Sequence, residues 1–197
     1  MMLRRTILSA AAAIGMVLPA VAHAHPGHVN GGLIGGFTHP FSGLDHILVM
    51  MLVGLVAARS GGRALILLPA TFTVVMVLGS LSSVMGASVS IMELGIAASL
   101  VALGLCATFN VRIPAALAVT AIALFAFFHG QAHGAELPAE AAKLPYVTGF
   151  VIATATLHLA GITAWIGLSR HGRQKPVAQI LGAVSMLLGA VMATGIA

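Results

Sequence analysis

Two short stretches gather metal-ligating residue types inside an otherwise apolar chain. One reads His39-Pro40-Phe41-Ser42-Gly43-Leu44-Asp45-His46. The other reads Phe128-His129-Gly130-Gln131-Ala132-His133-Gly134-Ala135-Glu136. In the second, His129 and His133 are four apart and Glu136 is three beyond His133, so on a helix all three share one face. In the first, Pro40 and Gly43 predict a broken or re-entrant helix start, where irregular backbone is tolerated if it lines a cavity. There His39, Asp45 and His46 supply two more imidazoles and another carboxylate. Four histidines and two acids without a thiol make a nitrogen and oxygen donor set. Such a set suits nickel, cobalt or zinc and disfavours copper(I).

Other residues have two readings each. His158 is a helix–helix hydrogen-bond donor or a ligand on a metal pathway. Glu93 is a partner of the ligands or an interfacial residue. His171 lies in a cationic loop and is expected to be solvated. The methionines read as packing filler rather than as a metal path.

The elements that must position these groups follow from composition. Of 197 residues, 59% are hydrophobic and only 7% charged, and nine Lys/Arg with four Asp/Glu cannot clothe a soluble globule. High hydrophobicity with so little charge also excludes intrinsic disorder. The net charge of +5 comes from scattered cations, not from the basic clusters that nucleic acid requires. Cys106 stands alone, which excludes an internal disulfide and a thiolate-rich metal site. The solvent that fits is a bilayer, and ionisable groups inside one are costly and by default functional.

Residues 1–24 read as a cleaved signal peptide: Arg4 and Arg5, an apolar run from Thr6 to Leu18, then Pro19 and a small-residue stretch to Ala24. Cleavage after Ala24 exposes His25-Pro26-Gly27-His28. Cleavage after Ala22 exposes His23-Ala24-His25, an amine with histidine at position three that suits square-planar copper or nickel. Either way a tail bearing His25, and with it His28, is expected in the periplasm, as an ordinary polar linker or as a metal collector.

Residues 25–197 then form one all-α integral membrane domain, a bundle of six transmembrane helices over about 42–58, 64–82, 90–109, 113–131, 146–168 and 177–196. Arg59, Arg63, Arg112, Arg170, Arg173 and Lys175 fall on one side and Lys143 alone on the other. That asymmetry places the mature N-terminus and the C-terminus in the periplasm of a bacterial inner-membrane protein. Both histidine clusters then lie near the periplasmic face. Small residues spaced by four (Gly95/Ser99, Ala178/Gly182, Ser185/Gly189/Ala193) predict close helix packing. An inverted repeat of three plus three spans would put the two clusters on opposite faces, so internal symmetry stays open. The chain has no nucleotide-binding G-x-x-x-x-G-K-[ST] loop and no standard hydrolase motif.

At these residues the chain resembles the HupE/UreJ family of nickel permeases: His39 to His46 fits H-x5-D-H, and Phe128 to Glu136 fits F-H-G-x-A-H-G-x-E. The resemblance covers essentially the whole mature chain. It implies a secondary transporter, not an enzyme, with nickel or else cobalt as its transported ion and no organic cofactor. By the same resemblance it would serve hydrogenase or urease maturation indirectly, and His39, Asp45, His46, His129, His133 and Glu136 would be its functional positions. Two other classes stay open on the residues alone: a membrane metalloenzyme acting on a bound water, and a metal-binding accessory or sensor protein.

Reporter fusions at Gly62 and Gln174 should read cytoplasmic and one at Ala139 periplasmic; a periplasmic signal at Gln174 would overturn the span count. Mass spectrometry of the purified protein should find His25 or His23 as its first residue, and intact Met1 would show that the signal is retained.

Overall fold

A computed structural model describes residues 32–87, 89–137 and 142–195. The signal-peptide reading over 1–24 and the His25 and His28 tail lie outside the described residues. Every regular element among them is a helix: α1 (Leu33–Thr38), a 3-10 turn (His39–Phe41), α2 (Leu44–Ser60), α3 (Ala64–Val84), α4 (Met92–Thr108), α5 (Ala115–Ala135), α6 (Lys143–Ser169) and α7 (Gln174–Ala193). Helices satisfy their own backbone polar groups, which an apolar medium demands. Large apolar side chains such as Ile66, Leu78, Leu117, Leu124, Leu159 and Ile180 face outward, the surface expected against lipid.

Helices α3, α5, α6 and α7 are long and apolar enough to cross a membrane. The segment Leu33–Phe41 meets α2 at 85°, so the two together form one broken span or a re-entrant entry, as Pro40 and Gly43 predicted. Helix α4 has 17 residues, shorter than the expected 90–109 segment. The approach to it is held as a loop, because Gln131 Oε1 accepts the Val89 amide at 3.2 Å. The described chain thus holds four helices of spanning length, or five with the bent pair taken as one span.

The helices associate in three pairs, each closed by glycine. A Cβ on Gly54 of α2 would overlap the His158 carbonyl of α6, and one on Gly161 of α6 would overlap the Met51 carbonyl of α2. Gly36 and Gly149 seat α1 against the start of α6 in the same way. Gly79 of α3 faces the Phe127 carbonyl, while Gly130 and Gly134 of α5 face the carbonyls of Met76 and Ser80. Gly104 of α4 and Gly182 of α7 each sit beneath the other's carbonyl, with a Cβ 2.6 Å from it, and Ser185 Oγ donates to the Leu100 carbonyl at 2.9 Å. In lipid such backbone approach, not water exclusion, drives association. The small-residue spacing predicted close packing without naming partners; on α7 Ala178, Gly182, Ser185 and Gly189 are buried, while Ala193, included in that stripe, is exposed.

At the other end of α2, Arg59 donates to the carbonyls of Cys106 (2.8 Å) and Val111. Its charge meets the negative end of α4. This places the α2–α3 and α4–α5 connections at one end of the bundle, opposite the two histidine stretches.

A side chain at Gly130 has nowhere to go, so Gly130→Ala should cost about 1–3 kcal/mol and lower the thermal midpoint in detergent by several degrees. Gly167→Ala, which meets nothing within 4 Å, should leave it unchanged. An unaltered midpoint in Gly130→Ala would show that α3 and α5 do not approach this closely.

Candidate metal site

The first stretch is built around its bend. His39 opens the 3-10 turn with Pro40 buried, and Ser42 Oγ donates to the His39 carbonyl at 2.6 Å. Gly43 is extended and caps α2. A Cβ there would lie 2.5 Å from Asp45 Oδ1 and 2.9 Å from His46 Nδ1, so only glycine lets the two side chains fold back over the bend. Asp45 occupies the first turn of α2, where a negative charge suits the helix dipole.

His46 Nδ1 lies 2.8 Å from Asp45 Oδ2. An ionised carboxylate only accepts, so Nδ1 carries a proton, and in the neutral ring Nε2 keeps a lone pair. Nε2 is buried without a partner. A carboxylate behind an imidazole is how metal-binding histidines are commonly oriented.

The second stretch lies on α5, and its glycines have a structural cause beyond chemistry: Gly130 and Gly134 let α5 press on α3. His129 is fully buried, and its Nδ1 donates to the Phe125 carbonyl at 2.9 Å. Its Nε2 is therefore also a lone-pair nitrogen, buried and unpartnered. His133 is fully buried with neither nitrogen partnered, and its ring stacks on Phe150 (centroids 5.2 Å, planes 9° apart). Gln131 points away and donates to Ser82 Oγ at 2.5 Å. Glu136 caps α5 just past its last helical residue, and its Oε2 lies 2.9 Å from His39 Nε2. That hydrogen bond from the His39 ring holds the Glu136 carboxyl below its usual range.

The bundle brings the two stretches face to face. The His133 ring stands 4.9 Å from that of His39 and 4.7 Å from that of His46, and His46 stands 5.4 Å from His129. His39, His133 and Glu136 each offer a ligand atom within 4.8 Å of the others. All six residues singled out in sequence stand in this one cluster, Asp45 through its contact with His46. The cluster offers imidazoles and carboxylates to a borderline divalent cation.

His158 sits deeper, fully buried, with neither nitrogen partnered. Glu93 is exposed in the first turn of α4 and makes no ion pair or hydrogen bond with the cluster among the described residues. His171 is exposed, as expected. Sequence reasoning passed over Tyr146, Phe150 and Phe72, the aromatic walls of the site. Tyr146 lies 6.0 Å from His39, and Phe72 lies 5.6 Å from His129 and 5.2 Å from His158. A signal existed: Tyr146, Phe150, Thr154 and His158 recur at four-residue spacing and are all buried.

The family model described as HupE / UreJ protein matches residues 11–192. Protein HupE of Rhizobium leguminosarum bv. viciae is 40% identical over 183 residues, covering 91% of this chain and 94% of that protein. No solved structure matches. With a family match over nearly its whole length and a relative of that identity, the chain belongs to the HupE/UreJ family.

Proposed function

We propose that this protein is a secondary permease, not an enzyme, that carries a divalent transition metal ion into the bacterial cytoplasm. Nickel is the primary candidate and cobalt the alternative. The observation that carries the reading is the cluster itself: four imidazoles and two carboxylates gathered where two helix pairs meet, with lone-pair nitrogens buried and unpartnered. Buried polar groups are normally satisfied, and nitrogens left open in this way suit an ion that comes and goes.

The cation asymmetry orients the bundle with Arg59, Arg63, Arg112, Arg170, Arg173 and Lys175 inside. The cluster then faces the periplasm, the compartment in which the tail with His25 and His28 would collect ions. An arriving ion exchanges water for His39, His133 and Glu136, then for His46, held by Asp45, and His129. A negative interior draws it on: each elementary charge gains about 2.3 kcal/mol per 100 mV, and a divalent ion roughly twice that. ATP is not needed. Glu93, exposed near the same face, stands at the approach rather than in the ligand set.

Accumulation of nickel or cobalt in cells, at matched membrane levels of each variant, tests the reading. His133→Ala removes an imidazole at the centre of the cluster, and Asp45→Ala releases His46. Each should lower accumulation by about 10–100-fold, while His171→Ala leaves it unchanged. Wild-type accumulation in both site variants would remove the site. Accumulation should also fall as the external pH drops, because a protonated imidazole has no lone pair to offer a metal. A rate that rises towards pH 5 would contradict ligation by these histidines.

A further inference from the structure

The buried stripe of α6 runs Tyr146, Phe150, Thr154, His158, and that of α3 runs Leu68, Phe72, Met76, Ser80. The two helices are antiparallel, and their stripes meet in register. Thr154 Oγ1 lies 3.8 Å from Met76 Sδ, and one turn further from the cluster the His158 ring meets the Phe72 ring edge-on at 5.2 Å. The same Phe72 ring lies 5.6 Å from that of His129. A line of side chains therefore leads from the six-residue cluster through His129, past Phe72, to His158.

His158 is the end of that line. No charged or imidazole side chain lies beyond it on α6, nor between His46 and Arg59 on α2, before His129 on α5, or anywhere on α3. Both its nitrogens are buried and unpartnered, and the side chain is 1% exposed. A residue kept only for packing would not need them, since leucine or phenylalanine fills such a place without an unsatisfied polar atom.

We propose that His158 is a second, mid-membrane station for the divalent ion, receiving it from His129 past the Phe72 ring. This rests on the permease reading above. The ligand class is a first-row divalent ion that takes one imidazole nitrogen and keeps water in the rest of its shell. The Thr154 hydroxyl and the Met76 thioether line the step between the two sites. A one-imidazole station binds weakly, and conduction requires that: an ion must be able to leave as well as enter. The six-residue cluster captures; His158 passes on.

The test uses purified full-length protein, with nickel uptake into proteoliposomes and equilibrium nickel binding in detergent measured side by side. His158→Leu keeps the bulk and removes the lone pairs. It should bind nickel at the cluster as the wild type does, yet take it up at least about tenfold more slowly. His158→Cys restores a ligand, so it should recover part of the rate and shift the preference from nickel towards thiophilic zinc or cadmium, a change that packing alone would not produce. Wild-type uptake by folded His158→Leu overturns the station. If only His158→Cys folds, a nickel rate and metal preference equal to wild type overturn it equally. Loss of cluster binding in His158→Leu assigns the residue to the first site and also overturns it. Wild-type protein that takes up neither nickel nor cobalt sinks the permease reading itself, a result separable from all of these.

Discussion

Everything in this molecule depends on carbonyl oxygens resting where a side chain would otherwise be. The pairs α2 with α6, α3 with α5, and α4 with α7 are each held by glycines beneath a neighbour's backbone, Gly54 under His158 and Gly130 under Met76 among them. In lipid no water is released when helices meet, so contact must come from packing and from weak Cα–H···O interactions at short range. Each pair is consequently tight. The consequence for the site is geometric: α2 contributes Asp45 and His46, α5 contributes His129 and His133, and these helices belong to different pairs.

Within that frame oxygen atoms decide which nitrogens are free. Asp45 accepts a hydrogen bond from His46 Nδ1, the Phe125 carbonyl accepts one from His129 Nδ1, and Glu136 engages His39. Each imidazole so held is fixed in rotation and left with a defined second nitrogen. His133 differs, because it is held by stacking on Phe150 instead of by a hydrogen bond, and both of its nitrogens stay open. It is also the ring nearest to two others. A side chain oriented by an aromatic face can turn its nitrogens without breaking a polar contact, which suits a residue at the centre of a shared ligand set.

Much of this was legible in sequence because membrane chemistry is sparse. Among so few charged residues, His39, Asp45, His46, His129, His133 and Glu136 stood out, and Pro40 with Gly43 announced the bend that the structure places at 85°. The pairing of α2 with α6 and of α3 with α5 was not legible. It depends on which glycines face which carbonyls, and single glycines such as Gly54, Gly79 and Gly161 carry no spacing signal. The aromatic walls were missed for a related reason: Phe72 and Phe150 sit in runs where every neighbour is apolar, and only their register against other helices separates wall from lipid surface. Helix α4 was expected longer than it is because hydropathy cannot register a side chain such as Gln131 taking up the Val89 amide.

The division of the cluster between helix pairs bears on what an ion does to the protein. The rings of His46, His129 and His133 gather at the seam between two helix pairs, and their Nε2 atoms have no protein hydrogen-bond partner. An ion between them would add bonds across that seam and so favour the arrangement in which α2 and α5 lie close. Because a ligand shifts a conformational equilibrium only by its differential affinity for the two states, ligands split between two rigid pairs couple occupancy to the packing of the pairs, whereas six ligands on one pair would not. The glycine contacts make each pair stiff, and the seam between them is the softer boundary. On the permease reading, binding strength and helix movement would be governed by the same few side chains.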